Sequence, residues 1–179
     1  MCLRMHRLRC LRRFYMTTAL VLTAAVLIAG ADQLIKYFIY QGLYPDGRVT
    51  VIDNLFSLVY SENRGAAFGV LQNGTLLFIF LTAALIVVFL YILISKKMQG
   101  KLFNVSVALI IGGGIGNLID RLFRGFVIDY LSVSFFPPIC NFADYCITVG
   151  AVLFILSILL MPDNSKKRAE LPEREEENE

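Results

Sequence analysis

Four stretches of this chain contain no charged residue: 14–31, 65–95, 102–119 and 145–162. Each reaches the roughly 18 residues that an α-helix needs to cross a hydrocarbon layer. The second is too long for one crossing. Gly65, Gly69, Asn73 and Gly74 mark its first part as a loop and place the span at about 75–95. A chain that is 57% hydrophobic is far more apolar than a soluble domain. The expectation is an α-helical integral membrane protein with four transmembrane helices.

The basic residues orient those spans. Arg4, Arg7, Arg9, Arg12 and Arg13 precede the first, Lys96, Lys97 and Lys101 join the second and third, and Lys166, Lys167 and Arg168 follow the fourth. With four crossings, all three clusters fall on one side. Both termini are then cytoplasmic, and about 36–74 and 120–144 face outward. A cleaved secretory signal fits the basic start and first apolar run, but Asp32, Gln33 and Lys36 follow directly and three more spans come later. The first span is expected to stay. The net charge of +3 follows from this topology and points to no nucleic-acid partner. The single histidine, His6, lies in the basic segment, and no Cys/His spacing suits a metal. No metal and no cofactor are expected. Cys2 and Cys10 lie on the reducing side. Cys140 and Cys146 lie where a disulfide is permitted, and free thiols are the expectation.

The chain divides into a basic extension at 1–15, a membrane domain at 16–162 and a charged tail at 163–179. The tail is too poor in apolar residues to order itself. Within the outward part, "RVTVI" and "LFSLVYSEN" flank the turn signal "DN" and read as strands. "GFVIDYLSVSFFPP" adds another strand that Pro137 and Pro138 should end. A small extracytoplasmic β-platform, about 44–72 with this addition, is expected on the outer membrane face.

The polar residues of the apolar segments need reasons. Gly112 and Gly116 share a helix face and permit close packing of a neighbouring helix. Asn117, Asp120 and Arg121 lie at i, i+3 and i+4, on one face at the outer end of span three. They form either the floor of a polar site or an interfacial ion pair, Asp120 with Arg121, that ends the helix. Asp32 and Lys36 are also i, i+4, which favours a structural ion pair. Asn63, in "SENRGAAFGV", reads on its own as a turn residue. Asp144 falls three residues after Asn141, as the acidic member of an N-terminal cap does, and a helix N-terminus favours the anion. Asp129 lies in the apolar run "FVIDYL", where burial should raise its pKa. If the chain folds back to bring Asp129 to Asp144, the two cannot both ionise cheaply. One then keeps its proton, and the pair has the chemistry of an aspartic-protease dyad.

At these residues the chain resembles the bacterial lipoprotein signal peptidases, also called signal peptidase II. The matching motifs are "DQLIK", "NRGAAFG", "GGGIGNLIDR" and "FVIDYL…NFAD", in family order, and the resemblance spans 17–161. It implies an intramembrane aspartic endopeptidase of the bacterial inner membrane, with its active site at the outer face. Such enzymes cut the signal peptide from diacylglyceryl-modified prolipoproteins just before the lipid-bearing cysteine. Asp129 and Asp144 become the catalytic pair. Asn63, Gly113, Asn117, Arg121 and Asn141 become residues that bind substrate, and Asp32 and Lys36 become structural support. Lipidated prolipoproteins and membrane lipids are the implied partners of a monomer. The chain departs from the pattern in its longer basic start and its short segment between Asp129 and Asn141. Two other functions compete: a small transporter and a non-catalytic membrane assembly factor. The lack of repeats and broken helices disfavours the first. The second requires that neither aspartate matter.

Overall fold

The computed structural model describes residues 2–65, 74–95, 98 and 100–161, with side chains for residue 12 and from 14 onward. Lys96, Lys97, the loop residues 66–73 and the charged tail fall outside the described residues.

Four helices are long and apolar enough to cross a membrane, over Phe14–Leu43, Thr75–Ile94, Lys101–Phe123 and Phe142–Leu159. The first is part of α1 (Cys2–Leu43), so the basic segment and the first span form one continuous helix. It outlasts the charge-free window by twelve residues, which carries Asp32 and Lys36 onto helical backbone. Two strands follow, β1 (Arg48–Ile52) and β2 (Phe56–Asn63), then α2 (Thr75–Ile94), α3 (Lys101–Phe123), β3 (Val127–Val133), β4 (Phe136–Cys140) and α4 (Phe142–Leu159).

Helix α3 packs against the other three helices. Phe103, Val107, Ile110 and Ile111 of α3 form the core with Val21 and Ala25 of α1 and Ile86, Phe89 and Leu93 of α2. Gly112 and Gly116 do face a neighbouring helix. A Cβ on Gly112 would sit 2.8 Å from the Ala25 carbonyl, and one on Gly116 2.5 Å from Asp32 Oδ2. Outward, Leu20, Leu27, Leu76, Phe80, Val87 and Tyr91 stay exposed. An apolar surface of this kind is stable against lipid tails.

The strands form one antiparallel sheet in the order β1-β2-β3-β4. The strand at "GFVIDYLSVSFFPP" turns out to be a hairpin. Pro137 and Pro138 lie within β4 instead of ending β3. They are tolerated because β4 is an edge strand, where a missing N–H can face away from the ladder. β3 is central, and Val127 to Tyr130 are buried on both faces. Ile128 and Tyr130 pack on Ile39 and Leu43 at the end of α1, which anchors the sheet to the bundle.

Candidate active site

Asp129 comes from the middle of the sheet. Its partner across the β2–β3 ladder is Ser61, next to an irregularity in register between Leu58 and Ser61. Such irregularities re-aim side chains near active sites. Asn63 pairs with Val127, diagonal to Asp129, and long side chains meet across that diagonal. Its Nδ2 donates to Asp129 Oδ2 at 2.8 Å, while its Oδ1 accepts from the N–H of Gly65 at 3.1 Å. Asn63 therefore holds its own turn and Asp129 at once.

Asp144 comes from the first turn of α4. Asn141 is the N-cap: its Oδ1 accepts the Asp144 N–H at 3.0 Å, and Asp144 Oδ2 accepts the Asn141 N–H at 3.1 Å. This is the reciprocal capping box, which satisfies two otherwise orphaned donors. The other N–H groups of that turn are also held. Phe142 donates to Tyr130 Oη at 3.2 Å and Ala143 to Asp32 Oδ1 at 3.2 Å.

The Asn141 side chain then reaches the other aspartate, with Nδ2 donating to Asp129 Oδ1 at 2.6 Å. One residue thus contacts both acids. The fold brings Asp129, from β3, and Asp144, from α4, together around Asn141. Burial, with the Asp144 charge second, pushes the Asp129 carboxyl up to about 7. The bonds from Asn63 and Asn141 and the charge of Lys36 oppose that rise without cancelling it. Nearby, burial and the same two acids push the Cys140 thiol up. Cys140 and Cys146 are free.

Asn117 links Asp144 to Lys36 and Asn141. Its Nδ2 donates to Asp144 Oδ1 at 2.8 Å, and its Oδ1 accepts from Lys36 at 2.9 Å and from Asn141 Nδ2 at 3.2 Å. Asp120 does not pair with Arg121. It accepts from Arg124, four residues on, and from Lys36 at 2.9 Å. Lys36 also meets Asp32 at 2.7 Å, and all three side chains are wholly buried. The expected Asp32–Lys36 pair is therefore part of a larger group. Gln33 ties it together by donating to the Gly116 carbonyl at 3.0 Å and to Asp120 at 3.2 Å.

Arg121 is left for other work. Its guanidinium lies 5.3 Å from the centre of the Phe78 ring, and among the described residues it forms no ion pair or hydrogen bond. Asp144, Asp129 and Asp120 all interact with its charge. Gly113 packs against α4, where a Cβ would meet the Ala143 carbonyl at 2.6 Å. The absence of a side chain there lets α3 and α4 approach closely. Gln33, Tyr130 and Arg124 also bond into this group without standing out in the sequence. The i, i+4 spacing of Asp120 and Arg124 could have revealed the last.

Known proteins are similar to this chain along most of its length. The family model described as "Signal peptidase (SPase) II" matches residues 24–160. A protein of Caldanaerobacter subterraneus subsp. tengcongensis named "Lipoprotein signal peptidase" is 46% identical, over 75% of this chain and 91% of its own length. One of the same name from Clostridioides difficile is 38% identical, over 79% and 95%. A solved structure of a bacterial membrane enzyme superposes with a TM-score of 0.72 at 26% identity, covering 89% of this chain and 95% of that one.

Proposed function

We propose a reaction for this site from one premise: the chain belongs to the signal peptidase II family. It is accordingly a membrane-embedded lipoprotein signal peptidase, a protease acting on prolipoproteins. Our reading is that it cuts just before the diacylglyceryl-modified cysteine, by water activated between Asp129 and Asp144. The observation that carries this is the bridging by Asn141, whose side-chain amide holds Asp129 and whose backbone amide holds Asp144.

Two acids that meet through one residue and feel each other's charge share a proton. Asp129 is the more buried and keeps it; Asp144, at a helix N-terminus with Asn117 and Asn141 donating to it, serves as the base. Asp144 takes a proton from water as the oxygen attacks the scissile carbonyl carbon, and Asp129 gives its proton to the carbonyl oxygen. When the tetrahedral intermediate collapses, the C–N bond breaks, Asp144 protonates the leaving nitrogen and Asp129 recovers its proton. Asn63, Asn117 and Asn141 hold the carboxyl groups, and Arg121 is available to the substrate.

The geometry suits a lipidated substrate. Burying acyl chains contributes about 0.8 kcal/mol per CH₂, so a diacylated cysteine holds its peptide bond at the membrane surface. Asp129 and Asp144 lie where the sheet meets the C-terminal end of α3 and the N-terminal end of α4. In our reading this end faces outward from the bacterial inner membrane, both termini are cytoplasmic and the monomer is active.

The test is cleavage of a lipidated prolipoprotein by purified protein in detergent. Asp129→Asn and Asp144→Asn should each abolish the product while leaving the protein folded, and EDTA should leave wild-type cleavage unchanged. Cleavage retained in either variant would sink the dyad.

A further inference from the structure

Two buried carboxylates outside the dyad, Asp120 and Asp32, each hold the backbone beside one of its members. Asp120 Oδ2 accepts the N–H of Ile128 at 3.3 Å, and Ile128 immediately precedes Asp129. Asp32 Oδ1 accepts the N–H of Ala143 at 3.2 Å, and Ala143 immediately precedes Asp144. The same two carboxylates share the Lys36 ammonium, at 2.9 and 2.7 Å. Its third partner is Asn117 Oδ1, and Asn117 in turn donates to Asp144.

We infer that Asp32 and Asp120 are positioning residues, braced against each other by Lys36, which set the backbone of each catalytic aspartate. The inference rests on the dyad reading given above. Both carboxylates meet the amide immediately before a dyad member, so the cluster that joins the helices also fixes the backbone at each acid. Here α1 reaches α4 and α3 reaches β3, and both reach the residue just before a dyad member. The brace is charge-balanced, because Arg124 supplies the second cation to Asp120 from the half-exposed side. Buried carboxylates tolerate this setting only when paired and hydrogen-bonded. No buried side-chain nitrogen or oxygen among the described residues lacks a partner.

Asp120→Asn tests the inference with little change of shape. Asp120 takes four donors: Lys36, Arg124, Gln33 and the Ile128 N–H. An amide offers one oxygen to them and turns an NH₂ group, itself a donor, toward the rest. Contacts must therefore be lost, while the Lys36–Asp32 pair survives. Hydrogen exchange at the Ile128 amide should quicken in this variant. A displaced catalytic group lowers turnover without touching ground-state binding, so kcat should fall about 10–100-fold with KM within about twofold of wild type. Asp32→Asn should do the same, with the quickened amide at Ala143. Faster exchange with kcat within about twofold of wild type overturns the inference, as does a loss carried by KM. If neither variant folds, the cluster is a folding element and the positioning role is overturned. Failure of the dyad reads out separately, as cleavage surviving in Asp129→Asn or Asp144→Asn.

Discussion

Lys36 donates to the side-chain oxygen of Asn117 at 2.9 Å, and that bond decides which way the Asn117 amide points. An ammonium can only donate, so the oxygen must face it and the NH₂ must face Asp144. A cation outside the dyad thereby supplies Asp144 with a donor of fixed orientation.

Asn117→Asp separates these two faces. The new carboxylate keeps a partner for Lys36 but turns an acceptor toward Asp144. Hydrogen bonds to charged groups are worth about 1.5–3 kcal/mol, so kcat should drop about 10–150-fold. Thermal unfolding in detergent should stay close to wild type. Unchanged turnover on a lipidated prolipoprotein would show that this donor does not matter.

Asp129 predicts a pH dependence whose sign follows from its raised pKa. Its carboxyl is held up to about 7, above its ordinary value of 3.8, by burial and by Asp144. A group whose folded pKa is raised favours the folded state fully below its unfolded pKa and loses that contribution as pH rises through the folded value. Thermal stability should therefore decline as pH rises from about 5 through 7 to 8, and Asp129→Asn should flatten the decline. If the protonated form is the acid of the reaction, kcat/KM should fall over the same range. The midpoint belongs to the pair, since coupled acids titrate together. A Tm of wild type that rises across this window would contradict the assignment.

The spans were legible because lipid demands long apolar helices, and α1, α3 and α4 overrun their charge-free windows where polar residues are buried in protein. Asp32 and Lys36 extend α1 past its apolar window because partners on α3 neutralise and bond them. That Asp129 and Asp144 meet, through Asn141, was legible because carboxylates in apolar runs need a reason. Pairing of Asp120 with Arg124 was not, since adjacent Asp120 and Arg121 look like partners in sequence while a helix points them about 100° apart. Nor could spacing show that Asp32 caps α4 through Ala143, a contact between residues 111 apart. The strand pair at 127–140 looks like one strand in sequence because prolines usually end ladders. Edge position, which tolerates them, is a property of the sheet order.

Arg121→Ala should lower kcat/KM about tenfold or more with little change in thermal stability, by losing a charged contact to substrate. The guanidinium stands half-buried over Phe78 with no carboxylate partner among the described residues, so its removal orphans no buried acid there. A large loss of Tm with normal kcat/KM in the surviving protein would make Arg121 an anchor of the helix end instead.

Gly113→Ala and Gly114→Ala form a matched pair on neighbouring positions of α3. At Gly113 a methyl group would sit 2.6 Å from the Ala143 carbonyl, which is backbone and cannot rotate away. At Gly114 the nearest atom is Ile86 Cγ1 at 3.3 Å, on a side chain that can give way. Overpacking a close helix contact costs about 1–3 kcal/mol. Gly113→Ala should therefore lower Tm clearly and, because Ala143 immediately precedes Asp144, reduce kcat as well. Gly114→Ala should hold both near wild type, since alanine favours a helix by about 1 kcal/mol over glycine and offsets the mild crowding. Equal tolerance of the two substitutions, measured by thermal unfolding and prolipoprotein cleavage, would mean that α4 can shift without disturbing the site.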